Sequence, residues 1–299
     1  DQLQILFGVG GERRLHEFEI DGLEGYDGDG PVRAGNAAES QVQLDMYGEL
    51  LDLAWQWHVH GRSPDDDYWH FLQSLVSRTT TQWSQPDKGI WEMRGLPRHF
   101  VQSKVMCWAA MDRGIKLAKD LKRNAPLDAW SKTRDEIRRA VEEKGYDPQR
   151  GIFIQAFDHP QIDAALLLLP LVGFVAYDDE RMVRTTDAVR QELSDDGLIR
   201  RYPYGIDEMK GKEGAFLACS FWLAECLAGQ GRLDEACEVF EAALATANDL
   251  LLFSEEFDVQ TSRMLGNFPQ GLTHLSLISA AVAMHQNEKA QVRLEASSQ

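Results

Sequence analysis

The chain has 299 residues, 43% hydrophobic and 26% charged, a globular balance with room for a sizeable core. Its net charge of −17 would repel a phosphate backbone, which argues against nucleic acid and says little about a neutral ligand such as a sugar. The longest apolar run, AALLLLPLVGFVA at 164–176, is too short to span a bilayer and contains Pro170, so no membrane partner is expected.

Residues 1–40 read as glycine-rich loop, with a short strand expected at 3–7. GVGG at 8–11 lacks the strand–GxGxxG–helix setting of a dinucleotide site. From residue 42 helical periodicity dominates. Five segments are apolar nearly all round: 42–60, 101–121, 161–176, 214–229 and 271–285. Four amphipathic segments with charged faces alternate with them: 66–83, 127–144, 179–195 and 232–248. A helix apolar on every side is buried, and a striped one lies outside. The starts of the apolar segments differ by 59, 60, 53 and 57 residues, so the repeat is an inner helix followed by an outer one.

Inner-to-outer links are short (61–65, 124–126, 177–179, 229–232), and outer-to-inner links are long (84–100, 145–160, 196–213, 249–270). Long loops gathered at one end of alternating inner and outer helices describe an all-α, (α/α)6-type toroid. That end also carries the N-termini of the inner helices, whose free N–H groups can meet a ligand. Nine helices are predicted where a closed toroid of six pairs has twelve. The chain starts at Asp1 with no initiating Met or signal peptide. Together these predict a single catalytic domain fragment over 1–299, lacking upstream helices. No linker divides it. Cys107, Cys219, Cys226 and Cys237 fall in helical patterns without CxxC spacing and read as thiols of a reducing, cytoplasmic compartment.

The long links hold the chemistry. Glu92, in DKGIWEMRG (87–95), and Glu255, in LLFSEEFD (251–258), occupy two of them at the same predicted end. The charges of Asp87, Lys88, Glu92 and Arg94 keep the first segment out of the core. Two carboxylates serve glycosidic cleavage when one is protonated to donate to the leaving oxygen and the other is ionised. Trp91 offers an apolar wall that favours a protonated Glu92, while Ser254 and Glu256 give Glu255 a more polar setting. Sugars are held by aromatic faces and by Arg, Asp and Asn hydrogen bonds. Candidates in the loops are Trp83, Trp91, Arg94, Arg201, Tyr202, Tyr204, Asn267 and Phe268, with Arg33, Asn36 and Tyr47 near the first inner helix. The eight histidines show no metal spacing, and no metal or other cofactor is required.

These motifs together resemble glycoside hydrolase family 15, the glucoamylase, glucodextranase and trehalase family. The resemblance runs in order through ILFGVGGERRL (5–15), GYDGDGPVRAGNAAESQVQLDMYGELLD (25–52), QPDKGIWEMRG (85–95), SKVMCWAAMDR (103–113), LIRRY (198–202), EGAFLACSFWLAE (213–225), LLFSEEFD (251–258) and LGNFPQGLTHLSLI (265–278). It implies an (α/α)6 barrel and an inverting, exo-acting hydrolysis of α-glucosidic bonds that releases β-glucose. Glu92 matches the family's general acid, Glu255 its general base, Arg201 a residue that binds the terminal glucose, and Trp91 an aromatic of the same subsite. For inversion the carboxylates should lie ~6.5–9.5 Å apart. The family's WPRD-type motif is missing here and is expected upstream, with an N-terminal β-sandwich. GVGGERRL and PVRAGN look closer to bacterial trehalase-type members than to fungal glucoamylases. Two rivals remain: another (α/α)6 sugar enzyme, an epimerase or lyase, and a non-catalytic helical-repeat binding module. The binding module fits poorly, because a tetratricopeptide repeat runs 34 residues.

Overall fold

The computed structural model describes residues 3–25, 28, 30–205 and 213–297, with 290–297 as backbone alone. Tyr26, Asp27 and Asp29 of the GYDGDG stretch, and 206–212 of one long link, lie outside the described residues. The chain divides into two compact units, Asp1–Thr133 and Arg134–Gln299. The boundary falls inside a continuous helix.

In the first unit, β1 (Phe18–Glu19) pairs antiparallel with β2 (Arg33–Ala34). No strand forms at 3–7, where one was expected. Helices α1 (Asp45–Val59), α2 (Asp66–Gln82) and α3 (Val101–Asp120) follow, and α4 (Leu127–Lys144) crosses the boundary. α3 is the core of this unit, buried along almost its whole length. Its neighbours approach closely because two glycines permit it. A Cβ on Gly48 of α1 would lie 2.4 Å from the carbonyl oxygen of Met106, and one on Gly114 would lie 2.5 Å from Val76 Cγ2 of α2.

In the second unit the hairpin of β3 (Tyr146–Asp147) and β4 (Ile152–Phe153) precedes α5 (Glu180–Leu193). The hairpin of β5 (Ser194–Asp195) and β6 (Leu198–Ile199) follows it. Next come β7 (Ala215–Phe216), α6 (Leu217–Gly229), α7 (Leu233–Leu244), β8 (Glu256–Asp258), β9 (Arg263–Leu265) and α8 (Gly271–Ser297). α6 is buried from Leu217 to Ala228. Phe221 packs edge-on against Phe240 and Phe253 at 5.5 and 5.9 Å, tying α6 to α7 and to the loop before β8. β7, β8 and β9 form one antiparallel sheet.

Eight α-helices are present among the described residues. The expected inner helix at 161–176 is replaced by a 3-10 turn, Ala164–Leu168, and irregular chain. Pro170 supplies no N–H, and in an α-helix its ring would strike the carbonyl of residue 166. Asp163 caps the short turn through the Ala165 N–H at 2.7 Å. The segment is still buried, so its composition reported burial rather than helix.

A second difference concerns α1 and α8, both expected to be buried all round. Leu53, Trp57 and Val59 of α1 are exposed, as are Leu275, Ile278 and Val282 of α8. α8 also runs well past residue 285. Among the described residues no helix is long and apolar enough to cross a membrane.

The helix starts differ, although outer helix α7, which begins after Arg232, also lacks a side-chain cap. Outer helices α2 and α5 are capped by the Asp65 and Asp179 carboxylates. Inner helices α1, α3 and α6 begin after Leu44, Phe100 and Phe216, which supply no side-chain cap.

Candidate active site

In the first unit the loop 84–100 is anchored from below by a buried charge cluster. Asp87, only 1% exposed, accepts the Leu44 N–H at 3.0 Å, and its backbone pairs with Arg98 through two hydrogen bonds of 2.9 Å. Lys88 N donates to the Val42 carbonyl at 3.0 Å. Lys104 is fully buried and donates to the Gln85 carbonyl. Burial holds Asp87 above the usual carboxylate range, opposed by the Leu44 N–H, Ser103 and Lys104. Burial also lowers Lys104. The expectation that charge keeps this segment out of the core is therefore wrong for Asp87.

The anchored loop presents Trp91 and Glu92, both half-buried, with Arg94 exposed beside them. Glu92 takes a left-handed backbone, φ +55. Its N–H donates to the Gly89 carbonyl at 3.3 Å, and its carbonyl accepts from Gln41 Nε2 at 3.2 Å. A residue without glycine's freedom in this region carries strain that the surroundings must hold, and such strain gathers at functional sites.

Asp45, at the start of α1, is another buried acid of the cluster. Burial pushes its carboxyl from 3.8 up to about 7, with repulsion from Asp87 and Glu49 adding to the rise. A raised folded value means that the folded state binds the proton more tightly. Stability from this group is full below about pH 4 and is lost as pH climbs towards 7, by at most about 4 kcal/mol. Urea midpoints measured between pH 4 and pH 8 should therefore fall more steeply for wild type than for Asp45→Asn. Parallel slopes would show that Asp45 does not hold that proton.

In the second unit, Glu255 sits directly before β8. Its N–H donates to the Asn267 carbonyl at 2.9 Å, and its own carbonyl accepts the Leu217 N–H at 3.1 Å. Its carboxylate accepts from Asn267 twice, from the backbone N–H at 3.0 Å and from Nδ2 at 2.9 Å. Gly266, at φ +71, leaves room for this, since a Cβ there would lie 2.7 Å from Glu255 Oε2. Ser254 is buried, and its hydroxyl donates to the Glu256 carbonyl at 2.6 Å, fixing the entry to the strand.

Arg201 lies beside β8. Its Nε donates to Glu213 at 2.6 Å, its Nη2 meets Glu256 at 3.2 Å, and its guanidinium lies 5.3 Å from the rings of both Tyr202 and Phe216. Burial alone would lower Arg201, but Tyr202, Glu213 and Glu256 outweigh it and keep the guanidinium charged. Burial pushes Glu256 up to about 7 against the pull of Arg201 and the Gly214 N–H, and the neighbouring Glu213 and Glu255 add to the rise.

Several candidates have other local duties. Arg33 faces Glu17 and Glu19 at 3.6 and 3.5 Å. Asn36 caps the 3-10 turn Ala37–Ser40 through the Ala38 N–H at 2.8 Å. Tyr47 and Tyr202 are buried, Tyr202 beneath Arg201. Tyr204 donates to Asp195 at 3.1 Å and stacks on Arg200. Asn267 grips Glu255, a duty the sequence did not reveal. Sequence reasoning also missed Glu213, Glu256, Asp87 and Lys104. A usable signal existed for Glu256 alone, as the second acid of SEE in a stretch bounded by Phe253 and Phe257. Among the described residues no group of three or more His, Cys, Asp or Glu is arranged to hold a metal.

The helix-pair architecture is that of (α/α)6 glycosidases. A wild-type glycosidase structure superposes with a TM-score of 0.70 at 19% identity, covering 81% of this chain and 67% of that one. The chain belongs to glycosyl hydrolases family 15, whose model matches residues 1–282. Its relatives include a trehalase of Mycobacterium tuberculosis, 43% identical over 94% of this chain and 41% of that protein. A trehalase of the archaeon Thermoplasma volcanium is 40% identical over 94% of this chain and 45% of that protein. The chain thus spans less than half the length of these curated relatives.

Proposed function

We propose that this protein hydrolyses an α-glucosidic bond with inversion, and that its substrate is α,α-trehalose. The observation that carries this reading is the 40–43% identity to trehalases across 94% of the chain. In the reaction Glu92 protonates the glycosidic oxygen. Glu255, oriented by the Asn267 amide, takes a proton from the water that attacks the anomeric carbon. Arg201 and Trp91 hold the terminal glucose, with Arg94 at the loop's exposed edge. The chain is then the C-terminal part of a catalytic domain, a reading supported by the length of its relatives and the uncovered apolar faces of α1 and α8. Buried, unbridged thiols at Cys107, Cys219 and Cys226 support a cytoplasmic location.

The test is stereochemical. Trehalose offered to the full-length protein in 18O-water and followed by NMR at early times should give equal α- and β-glucose, with the label on the β-anomer. Attack inverts one anomeric carbon, while the leaving glucose keeps its α-configuration. Release of α-glucose alone would mean retention. Turnover of maltose but not trehalose would move the substrate within the family.

A further inference from the structure

The second unit holds an ion triad whose members have unequal standing in the proposed function. Arg201 is assigned to the substrate there, but Glu213 and Glu256 are not. Arg201, Glu213 and Glu256 have side chains only 14%, 17% and 15% exposed. One guanidinium therefore faces two carboxylates in a largely desolvated place, and a third carboxylate, Glu255, is next in sequence. Glu256 is bound on both oxygens, Oε1 to Arg201 Nη2 at 3.2 Å and Oε2 to the Gly214 N–H at 3.0 Å. Its backbone is equally constrained, because β8 pairs Glu256 with Phe216 on one side and Leu265 on the other. The strand that begins one residue after Glu255 thus grips Arg201 through its first side chain.

We propose that Glu256 is a positioning residue: it sets the guanidinium of Arg201 relative to Glu255, so that the sugar bound by Arg201 is in register with the base. Glu213 holds the opposite edge of the guanidinium, at Nε. A long cationic side chain fixed at one edge keeps rotational freedom about its last bonds. Fixed at two edges, between the rings of Tyr202 and Phe216, it presents one orientation. This inference rests on the assignment of Arg201 to the glucose.

The experiment is a double-mutant cycle on the full-length protein, with trehalose as substrate and glucose binding by calorimetry as a second readout. Assayed at about pH 8.5, where the Glu256 carboxyl is ionised, Glu256→Gln keeps the shape and an acceptor for the Gly214 N–H but removes the charge that orients Arg201. It should raise KM about tenfold, as loss of uniform binding does, with kcat changed less than about threefold. In an Arg201→Ala background the same substitution should add nothing to KM, because its effect passes through the arginine. Glu256→Asp, which restores the charge, should recover part of the lost affinity in KM and in glucose binding. Melting curves separate these effects from unfolding, and if Glu256→Gln does not fold, Glu213→Gln takes its place in the cycle. Additive effects of Glu256→Gln and Arg201→Ala would overturn the positioning role while leaving the proposed function standing. An Arg201→Ala variant with unchanged KM would remove Arg201 from the substrate, and this inference with it. Failure of the wild type to cleave any α-glucoside would sink the function itself. Glucose binding would then decide the inference alone, and an affinity unchanged by Glu256→Gln would end it.

Discussion

Glu92→Gln is expected to lower kcat on trehalose by about 10²–10⁴-fold, the range that a positioned proton donor contributes. Glutamine fills the same space and cannot give up a proton to the departing oxygen. The fold should survive, because glutamine is isosteric and the backbone hydrogen bonds of residue 92, its N–H to Gly89 and its carbonyl to Gln41, are kept. The choice of leaving group then divides the two carboxylates. A glucosyl fluoride departs without protonation, so Glu92→Gln should keep much of its activity on it. Glu255→Gln should lose turnover on both substrates, because the attacking water still needs its base. Near-normal hydrolysis of trehalose by either variant would remove that residue from its role. Equal losses by Glu92→Gln on both substrates would leave Glu92 important but not as the acid.

Much of this architecture was legible because helical periodicity is local. The amphipathic run at 127–144 became α4 over the same residues, and Gly145 follows it as a helix stop. The failures have two causes. At 161–176 the apolar count reported burial correctly, but Pro170 decided the backbone, and the result is a 3-10 turn. At α1 and α8 the helix was right and its surroundings were not. Sequence shows how apolar a face is; whether neighbours cover it depends on contacts between segments far apart in the chain.

The candidate site divides in the same way. Glu92 and Glu255 stood out because they lie in two long links at one predicted end, the first beside an indole and the second between a serine and another acid. Arg33, Asn36 and Asn267 looked like sugar binders because their side chains can make such bonds. Asn36 is engaged close by in sequence, with the Ala38 N–H, whereas Arg33 faces Glu17 and Glu19 from the neighbouring strand region and Asn267 is engaged by Glu255 across a turn of the chain. The groups that hold the site in shape were hidden for the opposite reason. Asp87 and Lys104 look like ordinary surface charges, and only the fold shows them buried.

That burial leads to the largest expected effect on stability. Lys104→Met keeps nearly the volume of the side chain in a site with no exposure, so little of its cost should come from a cavity. It removes the cation that faces Asp87 and the donor to the Gln85 carbonyl. Deleting one of two neighbouring buried charged groups leaves the other less compensated, at a cost of up to about 3–5 kcal/mol. The double variant Asp87→Asn/Lys104→Met should recover most of that loss: asparagine still offers an oxygen to the Leu44 N–H, and no net charge remains to be desolvated. Activity should follow the loop rather than global stability. Lys104→Met unpins the segment that carries Trp91 and Glu92, so kcat should fall even at temperatures where the variant is fully folded. Urea unfolding of the wild type and the three variants, with Asp87→Asn as the third, gives the coupling directly. A Lys104→Met loss below about 1 kcal/mol, or a double variant no better than the single, would show that the two groups do not stabilise each other, and the anchoring of the loop would then rest on its backbone hydrogen bonds alone.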